Sequence, residues 1–270
     1  MKGRRIIDDR FAVLVGSANF MASGGNPFAP DVFDYRSKTT FNYFHQLIPK
    51  RREILDQLLE LIRRNETEVL EDIFGPEGLS DGVKLAKAVY SAPLMAARKR
   101  FVPDPFFSAV DFDGLPTGAQ RRLLENSVIF SGLFGLLRPD DLVPEYKLKM
   151  SAALSEIGSL TTFWRPHISP FLNRVVRNRF VWDLLPESYR EAWDDDGSHV
   201  ARATVSFHNA DGSILKEDAV YRGQLMNFIV RDPAIDVEAL DDWRHPGGFR
   251  LSRGQSSLEG ETKSIVMIRR

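Results

Sequence analysis

The run from Asn126 to Met150, NSVIFSGLFGLLRPDDLVPEYKLKM, constrains the fold more than any other part of the chain. Nearly every residue from Val128 to Leu137 is apolar or glycine, so this piece has no polar face and must be covered on all sides. It belongs to a core. The spacing is read as a buried helix in which Gly132 and Gly135, three apart, share one face and admit a close neighbouring backbone. Pro139 stops that helix, Asp140 and Asp141 stand ready to cap the next element, and Arg138 is left at the exit. There it serves either as a plain helix-end cation, which the dipole favours, or as a fixed partner for an anionic group.

A chain of 270 residues with 43% apolar content can bury one large core or two modest ones. No repeat, linker or composition break divides it, so residues 1–270 are read as a single domain. No segment reaches the roughly eighteen uninterrupted apolar residues that a membrane span needs. The opening MKGRRIIDDRF lacks the apolar stretch of a secretory leader, which points to a cytoplasmic location. The absence of cysteine excludes disulfides, a thiolate nucleophile, Cys-ligated metal and thiol redox sensing. With a formal charge of -1, the chain has no global attraction for nucleic acid. DNA binding would have to rest on local clusters among the 36 basic residues.

Phe11 to Val15 is a short β-branched and aromatic run that predicts a buried strand, opening into GSANFMASGGNPFAP, a loop of small and turn-forming residues. Its glycines fit no phosphate-binding fingerprint. An amphipathic helix with basic ends is expected from Pro49 to Arg64, and a second from about Asp81 to Arg100, interrupted at Pro93. The clusters at Lys50–Arg52 and Arg98–Arg100 are read chiefly as solvated faces. FWRPHISP places Trp164 in the core, with Pro166 beginning a helix. In NRVVRNRF, Arg174, Arg177 and Arg179 form the densest basic patch and the best local candidate for contacting phosphates. The five histidines lie scattered without metal-ligand spacing, so no metal site is expected. Val181 to Leu185 predicts a strand with Asp183 at its end, followed by a helix start at PESYREAW. ARATVSF and SILKEDA alternate about an Asp-Gly turn and predict a hairpin. YRGQLMNFIV predicts a helix, and TKSIVMI a last strand.

The central run resembles the YaaA family of peroxide-stress-associated proteins, whose pattern is S-G-L-[FYW]-G-[LV]-L-R-P-x-D-x-x-x-x-Y-[KR]-L-x-M. Ser131, Gly132, Leu133, Phe134, Gly135, Leu137, Arg138, Pro139, Asp141, Tyr146, Leu148 and Met150 all fall on it. Phe163-Trp164, Asp183-Leu184 with Tyr189, and Arg222-Gly223 match further family positions, so the resemblance spans almost the whole chain. It implies an α+β fold, a single mixed α/β domain of the YaaA type with a cleft and a helix-hairpin-helix-like element. It also implies DNA binding through a basic cleft in an oxidative-stress context.

The departures from the family pattern are as informative as the matches. Where the family places a lysine and an acidic residue in the first loop, this chain has Met21 and Asn19, and the positions of its glycine, tyrosine, serine and second lysine hold Pro103, Phe106, Pro186 and Ala219. Apolar groups thus stand where ionisable or conformationally permissive ones are usual. A cleft changed in this way suits a neutral or aromatic molecule better than a phosphate backbone. The alternative function is therefore an enzyme acting on a small, less charged molecule, for example in specialised metabolism. In that case Asp183, Tyr146 and Asp104 are the candidate acid-base groups, and Arg138, Arg222, Met21, Phe106 and Ser131 the candidate ligand contacts. Met21, Phe106, Arg138, Asp183 and Ala219 are then expected around one concavity. The partner is DNA or a small molecule, with no membrane; cofactor and oligomeric state stay open.

Overall fold

The computed structural model describes residues 10–27 and 43–269. The reading of the first residues as lacking a leader lies outside the described residues. Seven strands form one mixed sheet: β1 (Phe11–Gly16), β3 (Ser127–Ser131), β4 (Gly135–Leu137), β8 (Phe180–Asp183), β9 (Ala201–His208), β10 (Phe249–Leu251) and β11 (Thr262–Arg269). Their order is β10-β11-β9-β8-β1-β3-β4. The neighbours from β11 to β3 are parallel, and the edge strands β10 and β4 run antiparallel. Two small ladders pair β2 (Met95–Ala96) with β5 (Leu142–Val143) and β6 (Ala153–Leu154) with β7 (Gly158–Ser159). The expected strands at Phe11 and Val181 are thus present, within a residue or two of their expected ends.

The centre of the sheet needs no alternation, because helices cover both faces of a parallel sheet. All residues of β3 and β8 are buried, as are Phe11 to Val15 of β1. β9 instead alternates, burying Ala201, Ala203, Val205 and Phe207 and leaving Arg202, Thr204, Ser206 and His208 half-exposed. The described helices are α1 (Ile48–Arg64), α2 (Thr67–Phe74), α3 (Leu79–Ala88), α4 (Ala97–Arg100), α5 (Pro105–Val110), α6 (Thr117–Asn126), α7 (Leu160–Val176), α8 (Glu187–Arg190) and α9 (Ala219–Arg231). α6 packs on β1 and β3, α7 on β1 and β4, and α5 against α9.

Four expectations change. Val128 to Leu137 is not a helix but the β3–β4 hairpin. A run that is apolar throughout carries no period to tell the two apart, and Val128 and Ile129 are β-branched. Gly132 and Gly135 therefore do not stack on a helix face; they build the turn. A Cβ at Gly132 would lie 2.5 Å from the carbonyl oxygen of Leu148, and Gly135 has φ +69° with the Trp164 ring 2.8 Å from where its Cβ would be. Trp164 donates its indole N–H to Gly132 O at 2.8 Å. The region Asp81–Arg100 is broken into α3, β2 and α4 rather than one interrupted helix. Pro166 does not begin a helix but lies inside α7 with Pro170. Both prolines are exposed, so the carbonyls they leave unpaired can meet water. Finally, β9 forms no hairpin with SILKEDA. Both its edges are taken by β8 and β11, and the returning chain makes only a bridge between His208 and Ile214.

The two glycine environments yield a direct test. Gly132→Ala should cost about 3 kcal/mol in urea unfolding, because the obstructing atoms are backbone. Gly118→Ala, where a Cβ would meet only the Arg122 guanidinium at 3.5 Å, should be neutral or stabilise by up to about 1 kcal/mol. Equal midpoints for the two variants would contradict this packing.

Candidate functional site

In an open sheet of this kind, ligands bind outside the carboxyl ends of the strands, where neighbouring connections leave in opposite directions. β1 is followed in the sheet by its neighbour β3 on one side, and β8 by β9 on the other. The crevice therefore lies between the ends of β1 and β8, where Gly16 and Asp183 finish their strands. Gly16 permits the closure: a Cβ there would come within 3.0 Å of Pro186 Cδ and 3.4 Å of the Tyr189 ring.

The loop after β1 forms the central wall, and each of its fixed points is bonded to a different element. Ser17 N–H donates to Phe130 O of β3 at 2.7 Å. Asn19 N–H donates to Asp104 Oδ2 at 2.9 Å, while Asp104 Oδ1 caps α5 by accepting from Phe106 N–H at 3.0 Å. Ala22 N–H donates to Arg100 O at 2.7 Å. The Arg100 guanidinium, fully buried, donates in return to Ala22 O and to Pro93 O. Burial holds its pKa below the ordinary arginine value. Arg100 is thus a structural cation, not the solvated residue expected of its cluster. Gly25, at φ +127°, lets the loop pass 2.6 Å from Leu94 O where a side chain would begin.

Two clefts flank this wall. The smaller, about 850 Å³, runs from Ser17 past Phe106, Leu184 and Pro186 to the segment Ile214–Arg222. The larger, about 1080 Å³, is bounded by Met21, Asp72, Lys84, Pro103, Tyr146 and Lys147. Asn19 and Phe20 line both. The two clefts are therefore halves of one groove, divided by a ridge that carries an amide and a 63% exposed aromatic ring.

Among the residues singled out in the sequence, Asp104, Phe106, Ala219 and Arg222 line the smaller cleft, and Met21 and Tyr146 the larger. Arg222 donates Nε–H to Asp218 Oδ2 at 2.7 Å, and its buried Nη1 has no hydrogen-bond partner. Tyr146 shares a 2.7 Å hydrogen bond with Ser131 Oγ, which accepts from Phe134 N–H at 3.1 Å. Burial raises the Tyr146 pKa, so the phenol stays neutral and can donate a hydrogen bond. Ser131 itself is fully buried behind Tyr146.

The five positions expected around one concavity do not share it. Asp183 is fully buried beneath the crevice, accepting from Leu185 N–H and from the guanidinium groups of Arg190 and Arg202. Arg138 lies at the other edge of the sheet. Because β4 runs antiparallel to β3, its end falls beside the start of β3, and Arg138 donates to Ser127 O at 3.1 Å and to Glu125 O at 2.7 Å. Burial lowers its pKa, with Arg179 adding to the effect. Arg174 in the last turn of α7, Arg177 at its C-cap and Arg179 before β8 precede the start of β8, at the end of the sheet away from the crevice. The sequence reading missed Phe20, Arg51 and Arg100. The signal for Phe20 was an aromatic residue in a loop of small residues just past a strand. Among the described residues no group of three His, Asp or Glu side chains could hold a metal ion, and no helix is long and apolar enough to cross a membrane.

Comparison with known proteins places the chain in a family. The family model described as peroxide stress protein YaaA matches residues 35–254. The UPF0246 protein SCO2297 of Streptomyces coelicolor is 30% identical over 209 residues, covering 73% of this chain and 78% of that protein. An uncharacterized protein of Campylobacter jejuni, Cj0984, is 29% identical over 190 residues, 70% of this chain and 75% of its own length. A UPF0246 protein of Rickettsia bellii is 25% identical over 148 residues, 52% and 60% of the two chains.

Two outcomes are expected, one at the groove and one away from it. Asp104→Ala removes both the α5 cap and the anchor of Asn19, and should cost about 1–3 kcal/mol while shifting the amide resonances of Asn19 and Phe20. At the far edge, burial pushes the Asp141 carboxyl from its ordinary 3.8 up to about 6, although Arg138 and Tyr43 donate backbone N–H bonds to it. A raised folded pKa means the folded state holds the extra proton, so stability is present below about pH 4 and lost as pH rises through about 6. In urea unfolding, Asp141→Asn should therefore gain on the parent protein between these pH values. A difference independent of pH would contradict the assignment.

Proposed function

The chain belongs to the YaaA family of peroxide stress proteins, and on that premise we propose that its groove binds a small organic molecule of low net charge rather than a DNA backbone. The observation that carries this reading is the crevice at the carboxyl ends of β1 and β8, with walls of Phe106, Leu184, Pro186, Ile214 and Ala219. Its charge supports the same conclusion. The two halves together are lined by five Lys and Arg side chains and seven Asp and Glu side chains, which is no track for a polyanion. In this reading Ser17, Asn19, Arg222 and Tyr146 are the polar groups that meet the ligand, while Asp104 and Asp183 hold the walls. Burial raises the Tyr146 pKa, which suits its phenol to donating a hydrogen bond and not to giving up its proton.

The DNA reading has its own support in the family's implied basic cleft and helix-hairpin-helix element. Here it would have to use Arg174, Arg177 and Arg179, at the end of the sheet opposite the groove. Titrating the protein with a set of neutral fragments and with a DNA duplex at low salt distinguishes the two. Fragments should shift the amide resonances of Ser17, Asn19, Phe106 and Leu184, and the duplex should leave them unmoved. Duplex binding that weakens steeply with salt, without fragment binding in the groove, would overturn the small-molecule reading.

A further inference from the structure

The ridge between the clefts specifies the ligand further than the groove alone does. Phe20 is 63% exposed, yet the backbone that presents it is fixed on both sides: Ser17 and Asn19 donate to β3 and to Asp104, and Ala22 to Arg100. An aromatic ring held in water on an anchored loop forgoes its burial energy without gaining freedom of motion. Its position, lining both clefts, leaves its ring accessible to whatever occupies either. Asn19, next to it and also exposed, carries a side-chain amide that offers a donor and an acceptor together.

We propose that Phe20 is a stacking plate for a planar heteroaromatic ring, and that the Asn19 carboxamide reads a donor-acceptor pair on that ring's edge. This rests on the reading of the groove as a small-molecule site and names the class of molecule it takes. Stacking selects flatness, because an offset ring pair gains its contact only when both faces are planar. The amide selects an edge such as that of a cyclic lactam or a nucleobase, since a ring without one leaves both amide groups to water. Phe20→Ala is a surface change, so the variant should fold with an unaltered urea midpoint.

The test uses three probes followed by amide chemical shifts of residues 17–22: isoquinolone, which is flat with a lactam edge; naphthalene, flat without it; and the ring-saturated lactam, which has the edge but not the plane. Isoquinolone should bind about tenfold more tightly than the saturated lactam. Phe20→Ala should erase that difference and Phe20→Trp restore it. Asn19→Ala should erase the preference for isoquinolone over naphthalene and leave stacking intact. If the saturated lactam binds as well as isoquinolone, or the preference survives Phe20→Ala, the stacking proposal is overturned while the groove remains a small-molecule site. If no probe shifts residues 17–22 but the neutral fragments still shift Phe106 and Leu184, the proposal falls in the same way. Failure of every small molecule to reach the groove would overturn both.

Discussion

Everything in this molecule hangs on the burial of β1 between two parallel neighbours. Phe11 to Val15 are at most 1% exposed, with β3 and β8 bonded to either edge. A strand covered on both edges and both faces has no freedom to tilt, so the loops that leave β1 and β8 emerge side by side at one end of the sheet. The fit there is tight, because a Cβ at Gly16 would press on Pro186 at 3.0 Å. The location of the groove thus follows from strand order rather than from the residues that line it.

Two buried arginines finish the frame, and both are satisfied by carbonyl oxygens. Arg51 of α1 donates to Phe134 O and Leu136 O at 2.9 Å each, sealing the edge strand β4 against further pairing. Arg100 ties the loop after β1 to Pro93 O and Val143 O. A cation held by backbone dipoles gives up its hydration shell, and removing it would leave several buried acceptors unpaired at once. Lysine, a point charge without the planar fork, could not reach the same set of oxygens. The loop after β1 is therefore held by Arg100, a buried cation that lines neither cleft.

The family's most diagnostic run belongs to this frame. Gly132 makes room for the backbone of Leu148 and Lys149, Trp164 bonds to the turn, and Tyr146, Leu148 and Met150 turn inward in the segment that crosses it. At the larger cleft the run contributes Glu145, Tyr146, Lys147 and Lys149. The departures at Asn19, Met21, Pro103, Phe106, Pro186 and Ala219, by contrast, all lie on the groove lining. The matched positions mostly build the frame while the departures lie on the cleft lining, and membership of the family therefore leaves the ligand unnamed.

The sequence alone determined the family, the buried character of the central run, the strands at Phe11 and Val181 and the absence of thiol chemistry. Each rests on local pattern or composition, which can be read without knowing which elements pack together. Only the tertiary structure decided that Val128–Leu137 is a hairpin, since an unbroken apolar run has no period. It alone separated Arg138 from the groove, because an antiparallel return of three residues carries a side chain to the opposite end of a sheet. It alone showed Asp183 buried between Arg190 and Arg202, Arg100 buried among backbone carbonyls, and Phe20 exposed. Charge and hydropathy in a sequence do not record which side chains meet water; that is fixed by strand order and by the partners each polar atom finds on folding.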